Sequence, residues 1–233
     1  MTIKPYYETE LGKLYHGDCL QIMPQLEPVD GIISDPPFAF AGGLSNGMSS
    51  SADDQFFKYW WNNVCGLIAE KIKPEGSGFL WCDWKTARIF ADGFVPKIQT
   101  YNFFKTQMLY HFREMPGMGQ PFRSSVDMIL YVRGPKLKNP PIQNTTLNFI
   151  SEYWYYGKHK HHPAEKSSTI GKKLINWCSN ENDVIIDPFL GSGTTAVACE
   201  RLKRKWIGIE IEEKYCEIAA KRIEAERKQL KLF

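Results

Sequence analysis

The sequence Asp35-Pro36-Pro37-Phe38 constrains the fold most, because it follows a short apolar run that it must bring to an end. The run, Val29–Ser34, has the composition of a buried strand. Two consecutive prolines cannot donate to a strand ladder or continue into a helix interior. In an open α/β sheet, ligands bind at the carboxyl ends of the strands. The motif therefore places a carboxylate, a backbone carbonyl and an aromatic ring at a binding edge.

This set of groups fits an amino group attached to a flat ring. The Asp35 carboxylate and the Pro36 carbonyl can both accept hydrogen bonds from an amino group, while Phe38 stacks on the ring that carries it. The pattern indicates a pocket in which an amino group is methylated. Two simpler interpretations stay open: Asp35 could cap its own turn, and Phe38 could belong to the core.

A second motif, far downstream, has the layout of a nucleotide-binding turn. A predicted buried strand at 184–186 runs through Asp187 into Gly191-Ser192-Gly193, and a predicted helix comes next at 194–202. About 20 residues further on, Glu210 ends the next predicted strand, where an acid can bind ribose hydroxyls. The spacing is not that of a dinucleotide fingerprint, and no lysine follows the second glycine as in a triphosphate loop. A plain βα turn is the alternative.

The remaining composition fits one α/β domain of 233 residues with a short insertion. The net charge of +3 is compatible with a polyanionic partner. The cysteines are scattered without a CxxC pair, which disfavours a zinc site. No signal peptide or membrane-length apolar stretch is present in the sequence, so the chain is expected to be cytoplasmic. Further helices are predicted at 53–72, 165–178 and 212–230, and further strands at 14–16, 77–81, 103–112, 126–132 and 206–211.

On these motifs the chain resembles the beta-class, circularly permuted DNA amino methyltransferases that use S-adenosylmethionine. In that arrangement the catalytic motif precedes the cofactor motif, as it does here. The resemblance also covers other segments: Gly17-Asp18-Cys19, the turn at 72–77, Pro116-Gly117-Met118-Gly119 with Phe122-Arg123, and His162-Pro163-Ala164-Glu165-Lys166. From the residues alone, Asp18 could equally cap a following turn.

The resemblance implies a Rossmann-like α/β fold, with a mostly parallel twisted sheet and helices on both faces. It implies a single methyltransferase domain over 1–233, in which residues 134–161 form a short inserted target-recognition region. It also implies site residues in three groups. The catalytic residues are Asp35, Pro36, Pro37 and Phe38; the cofactor-binding residues are Asp18, Cys19, Asp35, Lys166, Asp187, Phe189, Gly191, Ser192, Gly193, Thr194, Thr195 and Glu210; the DNA-contacting residues are Phe38, Arg113, Met118, Phe122, Arg123, His159 and Lys160.

The function implied is site-specific methylation of double-stranded DNA at the N6 amino group of a flipped-out adenine, with no metal. An Asp at the head of the motif is commoner among adenine enzymes of this family, whereas cytosine-N4 enzymes more often carry Ser. Cytosine-N4 methylation is therefore the alternative within the family. A catalytically silent nucleic-acid-binding module is the alternative outside it. A homodimer is a further expectation from the resemblance.

Overall fold

A computed structural model of the protein describes residues 3–37, 51–83, 86–87, 105–112, 125–137, 148–151 and 168–230. Within these ranges nine strands form one sheet, in the order β1-β2-β9-β8-β3-β4-β6-β5-β7. The strands are β1 Tyr7–Glu8, β2 Gly12–His16, β3 Val29–Ser34, β4 Ile72–Cys82, β5 Lys105–Phe112, β6 Val126–Arg133, β7 Phe149–Ser151, β8 Val184–Asp187 and β9 Lys205–Glu210.

The centre of the sheet is parallel and its flanks are mixed. The five neighbouring strands β2, β9, β8, β3 and β4 pair in parallel. On the flanks, β6 runs antiparallel to β4 and β5, and β1 runs antiparallel to β2. Parallel strands are buried on both faces, which agrees with the uninterrupted apolar runs of β3 and β8. The predicted mostly parallel sheet is confirmed.

Helices cover both faces of this sheet. The described helices are α1 Cys19–Ile22, α2 Ser51–Lys71, α3 Ser168–Cys178, α4 Thr194–Leu202 and α5 Glu213–Leu230, with a short 3₁₀ turn at Met23–Gln25. Residues of α1 and α2, such as Trp61 and Ile68, form one core cluster with Ile32 and Leu80 of the sheet. Residues of α3, α4 and α5 form a second cluster with alternate sheet residues such as Ile33. The period-2 alternation of β3 thus supplies both cores.

The chain changes direction at the boundary between β3 and β8. From β3 the chain crosses through α2 to β4 on one side, and from β8 it crosses through α4 to β9 on the other side. The two crossover helices lie on opposite faces, since α2 belongs to one core cluster and α4 to the other. Such a topological switch point leaves a crevice outside the carboxyl ends of the two strands. Asp35 and Asp187 both lie at this crevice.

The predicted boundary between α2 and β4 was wrong. The helix ends at Lys71 and β4 begins at Ile72, so Pro74 lies inside the strand rather than in a turn before it. The pairing with β3 jumps from Val29–Ile72 to Gly31–Ser77, which leaves residues 73–76 bulged out of that ladder. Proline is tolerated at such a bulge because no ladder hydrogen bond is lost. Outside the ladder with β3, the Pro74 carbonyl accepts a hydrogen bond from the Lys136 amide at 3.0 Å.

Part of the predicted insertion at 134–161 belongs to the sheet. Strand β7 lies beside β5 and pairs with it in parallel through Tyr110 and Phe149. Residues 138–147 and 152–161 of the insertion lie outside the described residues. The role of this region in target recognition stays a prediction.

A buried acid on α4 ties the first strands to the C-terminal helices. Glu200 accepts hydrogen bonds from the Thr9 hydroxyl at 2.6 Å and from the Trp206 indole at 2.9 Å through the same oxygen. Its other oxygen lies 3.8 Å from the Arg227 guanidinium of α5. A buried carboxylate held by donors and a cation avoids most of the cost of burying its charge.

The thiols behave as core groups. All six cysteines are buried and free. Burial raises the pKa of the Cys19 and Cys178 thiols to about 12, so both stay protonated at neutral pH. In the part of the chain that the structure describes, no helix is long and apolar enough to cross a membrane, and no cluster of His, Cys, Asp or Glu could hold a metal ion.

The C-terminal end of α4 offers a test of backbone strain. Lys203 has a φ of 56°, in the left-handed region that favours glycine. We expect Lys203→Gly to raise the free energy of unfolding by about 0.5–1 kcal/mol in urea titrations. Lys205→Gly is the matched control, because Lys205 is exposed and extended in β9 and glycine there should destabilise. Equal destabilisation by both substitutions would contradict the strain assigned to Lys203.

Candidate active site

A cavity of about 230 Å³ opens at the carboxyl ends of β2, β3, β8 and β9. This edge is where an open α/β sheet binds its ligands. The cavity is bounded by residues that end or follow these strands and by one side of α2: Gly17, Asp18, Cys19, Pro37, Phe57, Trp60, Pro188, Phe189, Ile209, Glu210 and Ile211.

Aromatic side chains form much of the wall. Trp60 and Phe189 meet edge to face with ring centroids 5.7 Å apart, and Phe57 and Trp60 are 5.8 Å apart. An apolar slot with aromatic walls of this kind fits a heteroaromatic ring. From the sequence, Phe57 and Trp60 belong only to the predicted helix at 53–72, as part of its apolar face. Their spacing of three residues is the same for a core stripe as for a cavity wall, so periodicity alone could not separate the two roles.

Glu210 closes the polar end of the cavity. It is 9% exposed, and its two oxygens accept hydrogen bonds from the Gly191 and Glu212 amides, each at 2.8 Å. Each carboxylate oxygen has a second lone pair, so Glu210 can still accept hydrogen bonds from ligand hydroxyls. The side chain therefore both anchors the glycine turn and faces the cavity.

Asp18 combines the two roles that the sequence left open. Its side chain accepts a hydrogen bond from the Leu20 amide at 2.9 Å and caps α1. It also lines the cavity. Cys19 lies beside it as a buried, protonated thiol and contributes an apolar wall.

The glycines of the turn are required for different reasons. Gly191 and Gly193 have φ values of +54° and +88°, which L-residues rarely adopt. A Cβ on Gly191 would meet nothing within 4 Å, so this backbone faces open space, whereas a Cβ on Gly193 would lie 2.9 Å from Cβ of Ala219 in α5. The open space at Gly191, the aromatic slot and the acid at its end fit a nucleoside-type cofactor. Gly193 serves the packing of the turn on α5.

Ser192 is held from behind the turn by an arginine that sequence reasoning missed. The Arg222 guanidinium of α5 donates to the Ser192 carbonyl at 2.8 Å and to the Ser192 hydroxyl at 2.7 Å, and it lies 3.4 Å from the Thr194 hydroxyl. Ser192 is buried. These contacts direct Ser192 and Thr194 to α5. Arg222 therefore braces the turn that follows β8, residues 188–193, which is the cofactor turn. No local motif marks Arg222, since its partners lie about 30 residues away.

Asp187 connects the two motifs. It is 4% exposed and accepts hydrogen bonds from the Ser34 hydroxyl at 2.6 Å, the Thr195 hydroxyl at 2.6 Å and the Phe189 amide at 3.1 Å. The pKa of the Asp187 carboxyl is raised to about 6, chiefly by burial and to a lesser extent by the nearby charge of Asp35, although these hydrogen bonds lower it. The carboxylate thus joins the end of β3 to the cofactor turn.

Of the predicted cofactor residues, Asp18, Cys19, Phe189 and Glu210 line the cavity. Asp35 comes directly after Ser34, and Pro37 lines the cavity. Eight predicted residues lie outside the described residues, namely Phe38, Arg113, Met118, Phe122, Arg123, His159, Lys160 and Lys166. Their roles stay predictions.

The DNA methylase family of N6 and N4 amino methyltransferases matches residues 29–221 of the chain. The match covers both the predicted catalytic motif and the predicted cofactor motif, and the chain therefore belongs to this family. It is also 30% identical over 264 residues to the Type II methyltransferase M.BamHI of Bacillus amyloliquefaciens. That alignment covers 99% of this chain and 61% of M.BamHI, so the chain spans less than two thirds of that relative.

Solved structures agree with this assignment. The chain is similar to the complex of M1.HpyAVI with SAM, with a TM-score of 0.67, 26% identity, and coverage of 91% of this chain and 98% of that one. Its fold is also that of the cytosine-N4-specific PvuII DNA methyltransferase, with a TM-score of 0.76, 19% identity, and coverage of 94% and 88%. The predicted family, the Rossmann-like fold class and the predicted cofactor, S-adenosylmethionine, are confirmed.

The brace behind the glycine turn predicts a selective defect in cofactor affinity. Arg222→Ala removes charge-assisted hydrogen bonds to the Ser192 backbone and side chain. Bonds of this type are worth about 1.5–3 kcal/mol, so we expect the Kd for S-adenosylmethionine to rise about 10-fold in calorimetric titrations. Arg201→Ala is the matched control, because Arg201 pairs with Glu226 between the same two helices at 2.6 Å, away from the turn. A similar loss of affinity in both variants would show that Arg222 acts only through helix packing.

The raised pKa of the Asp187 carboxyl predicts that the stability of the protein depends on pH. Because its pKa is raised from 3.8 to about 6 in the folded protein, the folded state binds a proton more tightly than the unfolded state. The free energy of unfolding therefore falls as the pH rises between these values. Asp187→Asn removes this titration. From pH 4.5 to 6.5 we expect the free energy of unfolding of the wild type to fall by about 2 kcal/mol relative to that of Asp187→Asn. Urea unfolding of both proteins at each pH measures this change. A constant difference across this range would refute the assignment.

Proposed function

We propose that the protein is a site-specific DNA methyltransferase that transfers a methyl group from S-adenosylmethionine to the N6 amino group of adenine. The observation that carries this proposal is the hydrogen-bonded connection through Asp187. It ties the strand end bearing Asp35 to the turn that borders the cofactor cavity. An acceptor for an amino group and a site for a methyl donor thus share one crevice.

The described residues suit the parts of the cofactor. Glu210 would accept hydrogen bonds from the ribose hydroxyls, and the slot of Phe57, Trp60 and Phe189 would hold the adenine ring. The backbone at Gly191 leaves room for close approach. When bound, S-adenosylmethionine supplies an electrophilic methyl group, so alignment matters more than acid catalysis.

The difficult partner in the reaction is the amino nitrogen, whose lone pair is delocalised into the base. Hydrogen bonds from this amino group to the Asp35 carboxylate and the Pro36 carbonyl would localise the lone pair and orient it. The Asp35 carboxylate would also stabilise the positive charge that develops on the nitrogen. The rings of Pro36 and Pro37 fix their φ angles, so the Pro36 carbonyl is presented by a stiff backbone.

The target base must leave the duplex to reach this crevice, which costs a few kcal/mol. Stacking on Phe38 would offset about 1–3 kcal/mol of that cost. The partner is therefore double-stranded DNA, contacted by the predicted DNA-contacting residues. The Type II methyltransferase name of M.BamHI supports a role in a restriction-modification system. A homodimer stays a prediction from the resemblance.

Cytosine-N4 methylation is the second candidate. It is favoured by the fold shared with the cytosine-N4-specific PvuII enzyme, whereas Asp35 at the head of the motif favours adenine. The decisive experiment is to incubate the protein with unmethylated plasmid DNA and isotopically labelled S-adenosylmethionine, then digest the DNA to nucleosides for mass spectrometry. Label in N6-methyladenine supports the proposal. Label in N4-methylcytosine overturns the base assignment, and a protein that binds the cofactor without labelling DNA would be a silent module.

The catalytic assignment of Asp35 predicts a separation of chemistry from binding. We expect Asp35→Ala to lower methyl transfer by about 10³-fold, because the amino group loses its charged acceptor, while the Kd for S-adenosylmethionine stays within about threefold. Asp30→Ala is the matched control, since Asp30 lies at the opposite end of β3, where it bonds Lys73 at 2.7 Å and the Val184 amide at 2.9 Å. Turnover in Asp35→Ala near that of Asp30→Ala would remove Asp35 from the mechanism.

A further inference from the structure

The Ser34–Asp187 hydrogen bond lies where backbone pairing between β3 and β8 gives way to the crevice. Gly31 and Ile32 pair with Ile185 and Ile186 in the parallel ladder. Two residues beyond Ile32, the Ser34 hydroxyl donates to the Asp187 carboxylate at 2.6 Å. Both side chains are buried, with exposures of 1% and 4%. A side-chain bond therefore joins the two strands at their last residues.

The position of this bond matters because each partner leads directly into a functional segment. Asp35 is the next residue after Ser34, and the prolines after it cannot donate backbone hydrogen bonds to a neighbouring strand. Asp187 continues into the cofactor turn and holds it through the Phe189 amide and the Thr195 hydroxyl. The Ser34–Asp187 hydrogen bond therefore connects the residue before the catalytic acid with the start of the cofactor turn.

We propose that Ser34 is a positioning residue that fixes Asp35 relative to the cofactor turn by donating its hydroxyl hydrogen to Asp187. This role rests on the proposed methyl transfer, in which Asp35 holds the amino group. Methyl transfer depends on the alignment of nitrogen and methyl carbon, and a misplacement of about 1 Å can cost about 100-fold in rate. Ser34 itself is not assigned any contact with substrate or cofactor.

If the Ser34 hydroxyl only stabilised the fold, its removal would lower stability without changing the alignment of the reacting groups. The Thr9 hydroxyl provides a matched control for this comparison. The Thr9 hydroxyl donates to the buried Glu200 carboxylate, also at 2.6 Å, but in the contact between the first strands and α4. Ser34→Ala and Thr9→Val each remove a hydroxyl donor from a buried carboxylate. Both should lower the thermal unfolding midpoint, and only Ser34→Ala should alter the catalytic alignment.

The experiment measures thermal unfolding, the Kd for S-adenosylmethionine by calorimetry, and the single-turnover rate of DNA methylation at saturating cofactor and DNA. For Ser34→Ala we expect a rate about 10- to 100-fold below wild type, with a Kd within about threefold. For Thr9→Val we expect both quantities within about twofold of wild type. Ser34→Cys, which keeps the shape but donates weakly, should give an intermediate rate, and it serves as the test variant if Ser34→Ala does not fold.

The outcomes separate this inference from the proposed function. Wild-type protein that binds cofactor without methylating DNA would overturn the proposed function and the positioning role with it. Wild-type activity together with an unchanged rate in Ser34→Ala would overturn the positioning role alone. So would a rate loss matched by an equal loss of cofactor affinity, or an equal rate loss in Thr9→Val.

Discussion

The buried carboxylate of Asp187 is the interaction on which the arrangement of the site depends. It lies at the topological switch point, where the crossover helices that follow β3 and β8 pack on opposite faces of the sheet. The parallel ladder between β3 and β8 is short, and side chains complete the connection at its carboxyl end. The three described donors to Asp187 come from segments that border the crevice, so one charge organises the strand end that leads to Asp35 and the turn after β8 together.

A second layer of contacts supports this centre from the C-terminal helices. Gly193 packs so closely on Ala219 that no side chain fits between the turn and α5. Arg222 reaches from the same helix to the Ser192 backbone. Glu210 holds the Gly191 amide from the neighbouring strand. The cofactor turn is therefore fixed from behind and from the side, while the backbone at Gly191 has open space where a side chain would lie. Rigidity on one face and access on the other are the conditions for a preorganised site.

Much of this arrangement could be predicted from the sequence, because local rules govern it. The double proline ends β3, the glycines mark the turn, and the apolar runs mark the buried parallel strands. The limits of α4 could be predicted from periodicity and its glycine start. The early start of β4 could not be predicted, because a bulge in its pairing with β3 accommodates Pro74. Ser34 and Arg222 were missed for a related reason: each acts through a partner distant in sequence, and a lone Ser or Arg carries no local signature.

The place of β2 in the sheet has a consequence for how the chain reaches its folded state. β2 lies near the start of the chain, yet its parallel neighbour is β9, about 190 residues later, with Gly12 opposite Trp206. Such long-range pairing is slow to form, because a large loop must close before any contact is gained. During synthesis β3 and β4 can pair early, whereas β2 waits for the last sixth of the chain. The wall of the cavity at Gly17, Asp18 and Cys19 comes directly after β2, so it is completed only when the C-terminal strands arrive. A ribosome-bound chain therefore carries the Asp35-Pro36-Pro37-Phe38 sequence long before this wall of the cavity is complete.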